Sequence, residues 1–261
     1  EEAYTRANAY TTELKKERCI FVSNMCEQED CYTLEEAQIF INEPICVILE
    51  NEINDGCFLD ALLRCFRGKA KKIRRFKENR WLKYTSIGGK NQIAEMLRLK
   101  VSEFKGAHHK FLVLVDSDKM FLEQDLPNEQ EKIKNTCENL KVKYHILEKR
   151  EAENYLPEDV LLNNIPVEFK ELGEAFRNLN PIQKDFYDMK KGFNNKSQIP
   201  EKQQKLFENI TPEDINKLRR GFSQTISLQL FNKEETTQEN LQERCGSNEL
   251  KEILNKINTL L

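Results

Sequence analysis

The sequence has no Cys-x-x-Cys pair and no His-x-x-x-His pair, so the two spacings that most often mark zinc are missing. Its three histidines read as a loop pair, His108 and His109, and a strand residue, His145. The eight cysteines, several of them inside apolar runs, read as small packing residues and point to a reducing cytoplasm. A zinc site on Cys19, Cys26 and Cys31 is the rival reading for three of them. No apolar run approaches the ~20 residues a membrane helix needs, and no basic region followed by an apolar core opens the chain. A soluble protein with no membrane partner is therefore expected. No repeat is visible, and the net charge of −3 gives no global sign of a nucleic-acid binder. Residue 1 is Glu, which leaves room for a missing N-terminal domain.

What the chain does have is a run that organises the rest, Phe111-Leu112-Val113-Leu114-Val115-Asp116-Ser117-Asp118. Five apolar residues with two valines read as a strand buried on both faces, and the two aspartates fall where its C-terminal end should be. In open parallel sheets the ligand crevice lies beyond those ends. Ile45-Cys46-Val47-Ile48-Leu49 repeats the pattern and is closed by Glu50. A loop over residues 51–56 and a helix from Cys57 to Phe66 follow. Lys83 to Ile87 is a further strand, Gly88-Gly89-Lys90 turns into a helix ending near Glu103, and a helix over Asn128 to Leu140 leads to a fourth strand, Val142 to Leu147. Gly-Gly-Lys before a helix can hold a phosphate, but the full Walker pattern is absent.

Strands alternating with helices over residues 45–156 predict an α/β fold, a parallel sheet of about four strands flanked by helices. Residues 1–44 read as a helical N-terminal extension, with a peripheral helix over 1–19, a short strand near Cys19 to Val22, an acidic loop over 27–30 and a capping box at Thr33-Leu34-Glu35-Glu36. Residues 157–261 read as mostly helical. Segments are expected at Pro157 to Leu162, Val167 to Leu179, Pro181 to Met189, Glu201 to Phe207, Pro212 to Phe222 and Leu241 to Leu260, with a polar loop over Gly192 to Pro200.

Two charge segregations carry the functional reading. Glu50 with Asp55, Asp116 with Asp118, and Glu151 with Glu153 place carboxylates at three strand ends, close enough to converge and too many to coexist without cations. With no His or Cys in the set, Mg²⁺ or Mn²⁺ suits them better than zinc. Between Arg64 and Lys83 the chain then carries ten basic residues against one acidic, Glu78, a pattern whose commonest partner is a phosphate backbone. Lys71, Lys72, Arg74, Arg75 and Arg80 are its candidate nucleic-acid contacts.

The ordered set, a Glu after the first strand, an Asp-x-Asp after a later one and a further acid, resembles the TOPRIM (topoisomerase–primase) domain. Arg150-Glu151-Ala152-Glu153-Asn154-Tyr155-Leu156 resembles most the TOPRIM nucleases of the overcoming-lysogenization-defect type and related phage-defence nucleases, in which Glu-Asn-Tyr-Leu follows the last strand. The resemblance covers about residues 45–156 and implies a TOPRIM-like, Rossmann-like catalytic domain. It further implies a metal-dependent endonuclease acting on DNA or RNA with two divalent ions. Glu50 would be ligand or general base, Asp116 and Asp118 ligands, and Glu153 a ligand to the second ion, with Glu151 paired to Arg150, Lys149 or solvent. Lys90 and Arg150 would neutralise the scissile phosphate. A partner ATPase, homo-oligomerisation, or an inactive scaffold role also fit the family. The chain departs from the family pattern after Glu50, where Asn51 replaces the usual Gly and Asp55 comes one place late. That leaves the second ligand open between Glu52 and Asp55.

Overall fold

The computed structural model describes residues 21–24, 31–86, 88–103, 105–194 and 198–261. The helix expected over 1–19 and the acidic loop over 27–30 lie outside them. Two short parallel strands, β1 (Phe21–Val22) and β2 (Cys31–Tyr32), precede α1 (Leu34–Asn42). The Thr33 hydroxyl accepts from the Glu36 amide and the Glu36 carboxylate from the Thr33 amide, the capping box the sequence predicts. Of the three cysteines weighed as zinc ligands, only Cys31 is described. It is paired in a disulfide, which removes it from that set and departs from the all-thiol expectation.

Four parallel strands form the centre: β3 (Ile45–Leu49), β4 (Leu82–Ser86), β5 (Phe111–Val115) and β6 (Lys143–Ile146), in the order β4-β3-β5-β6. The first of them in sequence is internal, so the chain leaves β3 to one side for β4 and returns across it for β5. That reversal makes the gap between the C-terminal ends of β3 and β5 the topological switch point, where such sheets bind ligands.

The uniformly apolar β3 and β5 follow from this position, because a two-residue period shared between two covered faces leaves no polar side. Ile45, Val47, Leu49, Leu112 and Leu114 pack on one face. Cys46, Ile48, Phe111, Val113 and Val115 pack on the other, against α4 (Lys90–Glu103) and α5 (Asn128–Asn139) through Ile93, Leu97, Ile133 and Cys137. The first face is covered by α2 (Asn54–Cys65), which leads into α3 (Lys71–Glu78) before β4. Phe58 and Leu62 of α2 share one continuous core with Leu161, Phe176, Phe207, Phe231 and Ile253 of the C-terminal region. The C-terminal helices are thus packed onto the sheet and do not enclose a core of their own.

Those helices are α6 (Glu158–Asn164), α7 (Lys170–Arg177), α8 (Pro181–Phe186), α9 (Pro212–Lys217), α10 (Ile226–Leu230), α11 (Gln238–Cys245) and α12 (Glu249–Asn258). Most are shorter than the periodicity predicts. The helix expected over Leu241 to Leu260 is two, because Gly246 adopts φ 73° and closes α11 with a left-handed cap. Residues 201–207 keep only a 3₁₀ turn at Glu201–Gln203, and Val167–Phe169 is a 3₁₀ turn ahead of α7. α8 stops at Phe186, where the Asn154 amide takes the carbonyls of Lys184 and Tyr187 at 2.8 and 2.9 Å. α2 instead starts three residues early, since Asn51 Oδ1 accepts from the amides of Ile53 and Asn54.

Candidate metal centre

The site grows from the switch point. The Asp116 amide, first beyond β5, donates to Glu50 Oε1, first beyond β3, at 3.2 Å. α2 opens beside them, and Asp55 in its first turn is 6% exposed, with Oδ2 accepting from the Asn51 amide at 2.9 Å, whereas Glu52 is exposed. Between the two acids left open by the sequence, Asp55 is the one that faces the site.

The third contribution is the chain leaving β6. Leu147 still bonds Val115, after which the segment folds into a 3₁₀ turn over Ala152–Tyr155. The Ala152 amide donates to Asp116 Oδ1 at 2.9 Å, which docks this turn onto the end of β5. Glu151 precedes the turn with extended backbone and Glu153 lies within it, so both carboxylates reach the same space. One carboxylate oxygen each from Asp116, Glu151 and Glu153 lie within 4.8 Å of one another, all three residues buried.

All four oxygens of the two glutamates are held. Met189 donates its amide to Glu151 Oε1 at 2.6 Å, and Ser227 its hydroxyl to Glu153 Oε1 at 2.7 Å. Lys190 Nζ lies 3.1 Å from Glu151 and 2.9 Å from Glu153. None of these three partners was singled out in the sequence. They come from the C-terminal region, where Met189-Lys190-Lys191-Gly192 shows no pattern that would mark it.

The cluster is short of positive charge. Burial, reinforced by Asp116, pushes the Glu50 and Asp55 carboxyls up to about 8. Burial does the same to Glu151, to about 8, with Glu153 adding to it and Lys190 opposing. Asp116 is raised, again chiefly by burial. Burial alone would lower Lys190, but the carboxylates of Glu151, Asp116 and Glu153 outweigh it and hold the ammonium well above the ordinary lysine range.

The Asp-x-Asp motif divides. Asp116 points into the cluster, while Asp118 takes a left-handed backbone at φ 51° and turns to Lys90 and to Gln130 Nε2, the latter at 2.5 Å. Lys90, at the start of α4, also lies 3.2 Å from Glu50 Oε2, so it links Glu50 to Asp118. Gln130 Oε1, buried beside them, has no partner among the described residues.

Two expected roles meet other partners. Arg150 is half-buried, with Nη2 at 2.8 Å from Asp188 Oδ2, so its guanidinium already holds a carboxylate. Lys149 pairs with Asp185 at 2.5 Å, so neither neighbour serves Glu151. The basic stretch spreads along the flank of α2. α2 carries the chain about 15 Å away from Asp55 over ten residues before α3 opens with Lys71 and Lys72, and Lys77, Arg80 and Lys83 then share a cavity of about 520 Å³ with Glu52, Ile53 and Gly56. Ile73 buries one side of α3 and leaves Lys71, Lys72 and Arg75 exposed. Arg64 is spent on the carbonyls of Phe231, Lys233 and Thr236 at 2.9 to 3.1 Å. Arg80 is exposed at a left-handed turn, φ 62°, before β4.

No protein-family model matches this chain, and no curated protein or solved structure does. The donor set therefore carries the chemistry. It offers carboxylate oxygens from three chain segments, held by backbone amides, the Ser227 hydroxyl and Lys190, a set that would suit a hard divalent cation such as Mg²⁺ or Mn²⁺.

Proposed function

We propose that this protein is a divalent-metal-dependent phosphodiester hydrolase, an endonuclease acting on DNA or RNA. The observation that carries the reading is the convergence of Asp116, Glu151 and Glu153 at the switch point of a parallel sheet, each oxygen within 4.8 Å of the others. Asp116, Glu151 and Glu153 would hold one ion; the resemblance implies a second, and Glu50, whose Oε1 takes the Asp116 amide, and Asp55 are the further carboxylates beside them. Such ions supply an activated water and stabilise the leaving oxygen of a phosphodiester. Glu50 would act as ligand or as general base, and Lys90 tethers Glu50 and Asp118. The resemblance of residues 45–156 to TOPRIM nucleases supports the same reading and, with it, a role in defence against phage or foreign nucleic acid.

A second reading rests on Lys190. Its ammonium already pairs with both Glu151 and Glu153, so the protein in this arrangement is a binding module until something displaces the lysine. A partner ATPase would be a natural agent of that release. Incubating the protein with plasmid DNA and with total RNA in Mg²⁺ or Mn²⁺, beside Asp116→Ala, separates the two. Cleavage lost in the variant supports the hydrolase, and binding without cleavage supports the module.

A further inference from the structure

Beside the acidic centre lies a small open cavity of about 280 Å³, lined by Lys190, Lys191, Asn194, Arg220, Gly221 and Gln224. Three of the six are cations, two are amides and none is an acid. Two turns pressed together build it. A Cβ on Gly221 would stand 2.2 Å from the Lys190 carbonyl carbon, and one on Gly192 would stand 2.5 Å from the Leu218 oxygen, so only glycine permits the approach. Phe222 N–H to Met189 O, 2.7 Å, and Phe193 N–H to Leu218 O, 3.2 Å, seal the pair. The Tyr187 hydroxyl lies 2.9 Å from the carbonyls of both Leu218 and Arg220. The Gln224 carbonyl accepts from Asn54 Nδ2 at 2.9 Å, which pins the far wall one residue from Asp55. The Arg220 guanidinium is held 5.1 Å over the Phe169 ring and on the Glu168 carbonyl, at the edge of the cavity, and Lys191 is an exposed cation on its wall.

We infer that this cavity is a subsite for a backbone phosphate of a nucleic-acid strand, next to the phosphate handled at the acidic centre; the inference rests on the hydrolase reading above. A polyanion approaching five carboxylates needs positive charge close at hand, and Lys190, which lines this cavity, is a cation that reaches two of them. The cavity supplies that charge on a frame fixed by backbone contacts. Lys190 belongs to both neighbours: its ammonium pairs with Glu151 and Glu153 while the residue lines the cavity, so a cation bound by those glutamates would free it for a phosphate there. A free phosphate or a mononucleotide shares the chemistry, and the test distinguishes them.

The full chain is titrated into a labelled single-stranded oligonucleotide and followed by fluorescence anisotropy over a range of salt, for wild type, Lys191→Ala and Lys191→Ala/Arg220→Ala. Lys191 is exposed and its backbone makes the local bonds, so its truncation leaves folding intact; thermal melting checks the double variant. The expected result is weaker binding on all sequences and a salt slope lower by about 0.7 per lost contact. Unchanged affinity and slope in Lys191→Ala overturn the subsite. Binding of inorganic phosphate or AMP in a direct calorimetric titration, with no oligonucleotide binding in wild type, overturns the strand in favour of a small ligand. Wild-type cleavage in Mg²⁺, assayed in parallel, reports on hydrolysis alone. If the wild type cleaves and Lys191→Ala binds equally well, only the subsite fails. If it does not cleave and Lys191→Ala binds more weakly, hydrolysis fails and the phosphate subsite stands.

Discussion

Lys190 Nζ stands 2.9 Å from Glu153 Oε2, an ion pair across 37 residues of sequence with the glutamate side chain fully buried. It joins the turn after β6 to the C-terminal region and sits where the proposed ion would be bound. Removing one partner of a buried pair leaves an uncompensated charge, at a cost of ~3–5 kcal/mol. Lys190→Met should therefore lower the melting temperature in EDTA, and saturating Mg²⁺ should recover most of the loss. Thermal unfolding with and without Mg²⁺ measures both. A variant as stable as wild type in EDTA would show that Lys190 is not the counter-ion of the cluster.

Glu151 and Glu153 face the same space, so both should matter. Glu151→Gln and Glu153→Gln are each expected to lose at least ~100-fold in metal-dependent cleavage, the upper end of what is lost when a residue that only orients a ligand is changed. Cleavage rates at fixed Mn²⁺ decide it. Full activity in either variant removes that residue from the ligand set.

The raised carboxyls set the response to pH. In the unfolded chain Asp and Glu titrate near 4, whereas Glu50, Asp55 and Glu151 in the native protein titrate at about 8. Between those values the native state holds more protons, so the stability these groups contribute is fully present below the unfolded value and lost as pH rises through about 8. Metal-free protein should melt progressively lower from pH 5 to pH 8.5. Metal must displace those protons, so the rise in melting temperature given by Mg²⁺ should grow over the same window. Melting curves in EDTA that are flat across this range would contradict the arrangement.

Arg150 and Asp188 are 12% and 10% exposed in their side chains, and they fasten the segment carrying Glu151 to the exit of α8. Arg150→Ala should cost ~3–5 kcal/mol of stability and leave the salt slope of nucleic-acid binding unchanged. A stable variant with a flatter slope would return Arg150 to the phosphate role that the sequence suggested.

Much of the sheet was legible because β3 and β5 are buried on both faces, and five consecutive apolar residues can hardly be anything else at that length. Their terminal acids, Glu50 and Asp116, were legible for the same reason: a carboxylate directly after a buried strand is conspicuous. Asp55 against Glu52 was not, since the choice depends on Asn51 starting α2 early and rotating Asp55 inward. Glu151 was given the wrong partner because its neighbours Lys149 and Arg150 are captured by Asp185 and Asp188, which no local pattern reveals. Lys190 and Ser227 reach the cluster only through tertiary packing. The break at Gly246 was legible in principle, since glycine at that place is a helix stop, but the apolar periodicity on either side hid it.

The central claim is that Asp116, Glu151 and Glu153 form a metal centre, and Mn²⁺ binding followed by electron paramagnetic resonance tests it without relying on any substrate. Wild-type protein at pH 8 should take up Mn²⁺, Mg²⁺ should displace it, and Asp116→Ala should lose that uptake while remaining folded. Mn²⁺ uptake equal in wild type and Asp116→Ala, or absent from both, would contradict the account.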